Sequence, residues 1–309
     1  MPLWGVPAPP DPSRFPAAAR EPGPLRLGRA TFPPGQRVVM AIINRTPDSF
    51  YDAGATYDSD AALAAADAAV AAGAGILDIG GVKAGPGAEV DTAEELRRTV
   101  GVVAALRQRH PDVVLSVDTW RAEVAEQVCD AGADLVNDAW GGWEPELLAV
   151  AARYGAGYVA THTGGTPPRT RPHRVGYVDV MASVVADTTA LAAAAVASGV
   201  RPDAVLVDPG HDFGKNTWHS LEVTRRLGEL VATGYPVLVS LSRKDFVGET
   251  LDLPVGDRLT GTLAATAVSA WLGARVFRAH DVAATVQTLD MVAAIAGDMV
   301  PANPRRGLA

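Results

Sequence analysis

Cysteine is almost missing from the sequence. Cys129 stands alone, so no intramolecular disulfide can form and an oxidising compartment is not implied. Its place in a helical run makes it a packing residue rather than a nucleophile. Rings are scarce too: 6% of the 309 residues are aromatic while 48% are hydrophobic, so the interior has to be built from Ala, Val, Leu and Ile. Positive charge is in deficit, with a formal net charge of −8, which argues against a general nucleic-acid or anionic-membrane surface but leaves room for a local cationic pocket. No stretch reaches the roughly 20 uninterrupted apolar residues that span a bilayer. The first 30 residues lack the basic start and apolar core of a secretory signal. These absences lead us to expect a cytoplasmic protein whose partner is a small molecule, with no nucleic acid and no membrane.

Proline crowds the beginning, at Pro7, Pro9, Pro10, Pro12, Pro16, Pro22, Pro24, Pro33 and Pro34. Residues 1–35 therefore read as an extended lead-in that cannot donate a regular ladder of hydrogen bonds and lies outside the core. From Arg37 onward, eight short apolar runs alternate with longer amphipathic stretches: Val38–Ile43, Gly75–Ile79, Val113–Val117, Asp134–Val136, Gly157–Thr161, Ala204–Val207, Pro236–Leu241 and Arg275–Ala279. The runs are continuous rather than alternating, as strands covered on both faces should be. Between them, Asp58 precedes the stripe Leu63, Ala66 and Val70 closed by Gly73, and Asp91 with Glu94 predicts a capping box ahead of Leu96, Val100 and Val103. Eight strand–helix units favour a closed parallel (β/α)8 barrel in one domain, 36–300, over an open doubly wound sheet, with a short tail at 301–309.

In such a barrel the chemistry belongs to the strand C-termini and the loops that follow. The exits are all polar: Asn44-Arg45-Thr46, Asp78-Ile79-Gly80-Gly81, Asp118-Thr119, Asn137-Asp138, His162, Asp208-Pro209-Gly210, Ser242-Arg243-Lys244 and Arg278-Ala279-His280-Asp281. Any one Asp or Asn after a strand is ordinarily a helix cap. Caps do not call for Lys244, Arg278 and His280, which are costly to hold beside an apolar core without partners. With Asp118, Asn137 and Asp208 they suit a ligand that carries a hydrogen-bonding heterocycle at one end and an anion at the other.

Seven motifs, in order and at matching strand ends, resemble those of the dihydropteroate synthase family, a family of TIM barrels, over most of the chain from about Val38 to Ile295. They are NRTPDSFYDAG at 44–54, SVDT at 116–119, ND at 137–138, DPG at 208–210, FGK at 213–215, SRK at 242–244 and RAHDV at 278–282. The resemblance implies a reaction that joins 4-aminobenzoate to 6-hydroxymethyl-7,8-dihydropterin pyrophosphate and releases pyrophosphate. It implies that Asp118, Asn137, Asp208 and Lys244 hydrogen-bond the pterin, that Phe213 lines its slot, that Arg278 and His280 bind the pyrophosphate, and that Asn44 contacts its Mg²⁺. Lys244, Arg278 and His280 would carry the catalysis by meeting the charge that grows on the leaving group. A homodimer through helices away from the site, such as 261–272, is implied as well.

One motif departs from the pattern. The family's second loop usually reads Gly-Gly-Glu-Ser-Thr-Arg-Pro-Gly, whereas 80–87 reads GGVKAGPG: the length is kept, but Val82, Lys83, Ala84 and Gly85 replace Glu, Ser, Thr and Arg. Losing one Arg contact to phosphate costs about 1.5–3 kcal/mol, or about 10- to 100-fold in affinity. Asp212 and Ser240 stand where the family usually has Gly, and a carboxylate at 212 would narrow a ring slot and repel a polyanion. The leading expectation is thus a synthase-like protein that has lost most or all of the activity and binds the pyrophosphate substrate weakly. A working synthase that substitutes Lys83 or Arg45 for the missing arginine is the alternative, and a methyltetrahydrofolate-binding transferase ranks last. His211 and His219 are expected at the surface.

Overall fold

The computed structural model describes residues 23–46, 58–170 and 175–306. Eight parallel strands form the barrel: β3 (Val38–Asn44), β4 (Ile76–Gly80), β5 (Val114–Asp118), β6 (Leu135–Asp138), β7 (Gly157–Thr161), β8 (Val205–Asp208), β9 (Leu238–Ser240) and β10 (Val276–Ala279), hydrogen-bonded in the order β8-β7-β6-β5-β4-β3-β10-β9. The two ends of that order meet through a parallel bridge between Val207 and Val237, where Val207 N–H donates to Pro236 O at 3.0 Å. All eight apolar runs thus become strands. The seventh shortens from six residues to Leu238–Ser240, as expected where a proline offers no N–H to the ladder.

The helices between them are α1 (Ser59–Ala71), α2 (Thr92–Arg109), α3 (Ala122–Asp130), α4 (Glu146–Tyr154), α5 (Val180–Ala197), α6 (Thr217–Arg225), α7 (Leu227–Val231), α8 (Asp245–Leu251), α9 (Leu259–Trp271) and α10 (Val282–Ala296). Asp58 caps α1 by accepting from Asp60 N–H at 2.9 Å, and Asp91 caps α2 by accepting from Glu94 N–H at 2.8 Å. The capping box is only half made: the Glu94 carboxylate is taken by Arg97 at 2.6 Å and Arg98 at 2.7 Å, leaving none of it to return to the Asp91 N–H. Helix α5 is apolar enough and long enough to cross a membrane. In the barrel it packs one face, with Val184, Thr188, Ala192 and Ala195, onto β7 and β8.

Inside the barrel, side chains two residues apart share a face. On that parity Met40, Ile76, Val114, Leu135, Leu206 and Val276 build an apolar lower layer, and two or four residues later Asp78, Ser116, Asp118, Asn137, Asp208 and Arg278 follow at the upper rim. The strand sequence therefore switches from oil to polar groups along one inward stripe, and this is what sets the site at the C-terminal mouth.

The floor is closed by residues expected outside the core. A hairpin of β1 (Leu25–Leu27) and β2 (Ala30–Phe32), antiparallel with Leu25 opposite Phe32, turns at Gly28 and pushes Leu25, Leu27 and Phe32 into the lower layer. The lead-in expectation fails here because this stretch, unlike its flanks, has no proline between Leu25 and Phe32 and alternates apolar with polar residues. Burying Leu25 and Leu27 is worth about 1.5–3 kcal/mol each. Arg275 fastens the hairpin by donating to Gly23 O at 2.7 Å and Pro33 O at 2.8 Å.

Candidate functional site

At the centre of the upper rim is Asp78, fully buried on β4. Its carboxylate accepts from Ser116 Oγ at 2.6 Å, from Asn137 Nδ2 at 3.1 Å and from Arg278 Nε at 2.6 Å. A second guanidinium nitrogen of Arg278 donates to Asp118 at 3.1 Å. Four strands, β4, β5, β6 and β10, thus converge on one ion-pair network. Burial pushes the Asp118 carboxyl up to about 7 against the pull of Arg278, with Asp78 adding to the rise. Burial works against the charge of Arg278 as well, yet Asp78 and Asp118 hold it above its ordinary range.

A second group forms around the exits of β8 and β9. Asp208 accepts from Gly210 N–H at 2.7 Å and is raised by burial, opposed by Lys244. Lys244 donates to His211 O and lies 4.8 Å from the centre of the Phe213 ring; burial lowers it, while Asp212 and Asp208 support its charge. The three residues of the SRK motif serve three ends. Ser242 Oγ lies 3.0 Å from His280 Nδ1, Arg243 pairs with Asp281 at 2.9 Å and donates to the carbonyls of Val255 and Gly256, and Lys244 faces the rim. His280 is pushed down to about 3 by burial and by Arg278, so it is a neutral ring at pH 7.

Lys215 is buried beneath this group. Its ammonium lies 2.6 Å from His162 Nδ1 and donates to Gly210 O at 3.0 Å and Phe213 O at 3.1 Å, tying down the loop that carries Phe213. Burial lowers it to about 7 and lowers His162 to about 3.

The second loop is a wall over the site. Val82 and Val90 are buried with Trp120, Ala139 and Trp140, and Phe213 packs against them. Trp140 meets Phe213 edge-on at 5.1 Å and Trp120 at 6.4 Å. Arg169 donates to Ala88 O at 2.9 Å and Gly85 O at 3.4 Å, and Arg121 donates to Val90 O at 2.7 Å. Between wall and rim is a cleft of about 170 Å³, with Lys83, Ala84 and Gly85 on one side and Trp140, Phe213, Asp212 and Lys244 on the other. Neither Arg278, His280 nor Asn44 lines it.

Several expectations are corrected by this geometry. Arg45 is no stand-in for the loop arginine, because its guanidinium is buried and donates to Arg98 O and Ser59 Oγ at 3.1 Å each. His211 is not a surface residue: it is fully buried, 2.9 Å from Thr224 Oγ1 and stacked on Phe246 at 5.5 Å. His219 is half-buried, where it completes the cap of α6 with Asn216 and meets Tyr177 edge-on. Asp212 has φ 66°, a left-handed conformation that glycine adopts more cheaply. Its carboxylate accepts from Ser220 Oγ at 3.2 Å and Phe246 N–H at 3.3 Å while lining the cleft. Asn44 ends β3 opposite Gly80, and the rest of the first loop, 47–54, lies outside the described residues.

Trp140 was not foreseen at the site, and Asp78, His162 and Lys215, placed at the strand exits and in the FGK motif, were given no role there. Asp78 was detectable on strand parity, two residues after the inward-facing Ile76. Trp140 had the weaker signal of following the Asn137-Asp138 exit. Lys215 had its FGK motif and His162 its place at a strand exit, but their pairing joins two loops 53 residues apart and had no local signal.

The family model described as pterin binding enzyme matches residues 40–280. A Mycobacterium leprae protein named inactive dihydropteroate synthase 2 is 57% identical over 278 residues, 89% of this chain and 96% of that protein. The dihydropteroate synthase of Synechocystis is 42% identical over 270 residues, 86% of this chain and 93% of that protein. The crystal structure of Yersinia pestis dihydropteroate synthase with a sulfonamide drug complex superposes with a TM-score of 0.84 at 38% identity, covering 89% of this chain and all of that one.

Proposed function

Because the chain belongs to the pterin-binding enzyme family, as a dihydropteroate synthase-like member, we propose that it keeps the pterin site and has lost most or all of the synthase activity. The observation that carries this reading is the second loop: Lys83, Ala84 and Gly85 line the cleft where the family resemblance calls for Ser, Thr and Arg. A loop arginine grips a phosphate with a planar fork, which a lysine's point charge does not reproduce. In this reading Asp118, Asn137, Asp208 and Lys244 hydrogen-bond a pterin, Phe213 lines its slot, and Arg278 and His280 face any anionic group. The high identity to a mycobacterial protein named inactive supports it.

A resident Mg²⁺ does not fit the side chains of the described residues. Among the described residues no group of three or more His, Cys, Asp or Glu could hold a cation, and Asn44 brings one neutral oxygen. Mg²⁺ would enter as part of a pyrophosphate substrate, with Asn44 as a contact. We also infer a cytoplasmic homodimer: Val268 and Trp271 on α9 and Met291 and Ile295 on α10 are exposed apolar side chains on two helices that pack together. The barrel itself spans 36–300, and the hairpin at 25–32, ahead of those bounds, fills its floor.

The test is pyrophosphate release from dihydropterin pyrophosphate, 4-aminobenzoate and Mg²⁺ by the natural protein and by a variant with Lys83→Ser, Ala84→Thr and Gly85→Arg. No turnover by the natural protein and some by the variant is expected. Turnover by the natural protein at ordinary enzyme rates overturns the reading and favours a working synthase in which Lys83 replaces the arginine.

A further inference from the structure

The sequence holds three lysines, Lys83, Lys215 and Lys244. Lys83 and Lys244 line the cleft, whereas Lys215 is buried beneath it, on the loop between β8 and α6. An ammonium has three hydrogens to donate and nothing to accept with. Those of Lys215 meet His162 Nδ1 at 2.6 Å, Gly210 O at 3.0 Å and Phe213 O at 3.1 Å. His162 Nδ1 is therefore the bare, accepting nitrogen, and the ring proton sits on Nε2. Nε2 faces α5, where Ser183 Oγ lies at 3.1 Å and the Asp187 carboxylate at 3.3 Å. Ser183 Oγ in turn donates to Asp187 at 3.3 Å. The His162 ring is buried and the Asp187 side chain is 58% exposed. A continuous line of hydrogen bonds thus runs from solvent at α5, through one imidazole, to the underside of the loop that carries Phe213.

We propose that Asp187, Ser183, His162 and Lys215 form a proton relay, through which one positive charge beneath the rim is exchanged with solvent while the Phe213 loop stays in place. On deprotonation, Asp187 takes the Ser183 hydroxyl proton, Ser183 takes the His162 Nε2 proton, and His162 Nδ1 takes a proton from Lys215. Asp187 then releases its proton to water. The net change is one proton, and one positive charge, lost from Lys215. His162 now donates from Nδ1 to the lone pair of the Lys215 amine, whose two remaining hydrogens still meet Gly210 O and Phe213 O. Ser183 Oγ donates back to Nε2. The hydrogen bonds keep their number and reverse their direction, so the loop needs no rearrangement. What changes is the field above it: burial raises the Asp208 carboxyl, Lys244 opposes that rise most, and Lys215 adds to the opposition. The other charged groups that face Lys215 are Asp208, Asp212 and Asp187, which support its charge, and Lys244, which opposes it. Burial, with the Lys215 charge added, holds the His162 and His211 rings below the ordinary histidine range, and His219 is lowered by burial and by the same charge against Glu222.

Nuclear magnetic resonance of the full chain, labelled with ¹³C at lysine Cε and ¹⁵N in histidine, tests the relay. The three lysine signals are assigned by elimination with Lys83→Arg and Lys244→Arg, so Lys215 itself is left untouched. Lys215 is expected to titrate with a midpoint of about 7. Below that midpoint the ¹⁵N signals of His162, identified by its contact with Lys215 Cε, should report a proton on Nε2; above it, a proton on Nδ1. Both changes should share one midpoint. A lysine that only anchors the loop would titrate without moving the imidazole proton. Asp187→Ala, at an exposed position on α5, removes a support for the Lys215 charge and should lower the shared midpoint by about half a pH unit, less at high salt. The relay is overturned by a His162 that keeps one tautomer while Lys215 titrates, or by a His162 protonated on both nitrogens at neutral pH. A Lys215 still charged at about pH 9, or an Asp187→Ala variant whose midpoint does not move, overturns it as well.

Discussion

Asp78 shows how one buried carboxylate can organise a site that no single strand contains. It has three side-chain donors and no exposure, so its removal leaves Arg278 partly buried with one carboxylate instead of two. Asp78→Ala is expected to destabilise the fold by about 3–5 kcal/mol, the usual cost of breaking a buried ion pair from one side, as read by urea denaturation. Asp118 makes a pH prediction. Its folded value, about 7, lies above the roughly 3.9 of an unfolded Asp, so the folded state holds the proton more tightly. Its contribution is fully present below about pH 4 and is lost as pH rises towards 7. The stability of Asp118→Asn relative to the natural protein should therefore climb between pH 4 and 7 and then level off. A flat difference across that range would show that Asp118 is ionised throughout.

At the scale of single elements, the second loop and the floor hairpin are held by different physics. The loop has two aliphatic anchors and two arginines on its carbonyls. Arg169→Ala should speed hydrogen exchange of amides near 85–88 while leaving the barrel strands protected, because the lost contacts are local. Val82→Glu, which restores the family's residue, buries a carboxylate among Trp120 and Trp140 and should release the wall at a cost in stability. The hairpin is held by apolar burial. Leu27 packs so closely that a Cβ on Gly157 would come within 2.7 Å of its side chain. Leu27→Ala should cost about 2–5 kcal/mol, measured by thermal or urea unfolding.

For the whole molecule, the barrel separates stability from chemistry. The lower layer and the helix-facing clusters are apolar, and the charged groups of the rim are stacked above them on the same strands. This division lets a synthase-like chain lose its loop groups without losing its fold. The exposed apolar side chains of α9 and α10 predict a dimer in solution, and Trp271→Glu should give a monomer by light scattering with its melting behaviour largely kept; a dimer that survives the change would place the interface elsewhere.

The chain order alone was enough for much of this. Eight continuous apolar runs, each ending in polar residues, specify a barrel with its site at one mouth, since strands covered on both faces and joined by amphipathic helices have few other ways to bury themselves. The caps at Asp58 and Asp91 are equally local, resting on residues within three positions of each other. The altered loop at 82–85 is visible as spelling. Other features depended on closure of the ring. Arg278 meets Asp78 across 200 residues and Lys215 meets His162 across 53, pairings that follow from strand register and from which loops the barrel sets side by side. Leu25 and Leu27 are core residues because the barrel has an open floor to fill, and Arg45 is spent because α2 places the Arg98 carbonyl within its reach. Periodicity and capping act over a few residues and are written in the chain; the partners of a buried charge are decided only when distant strands are brought together.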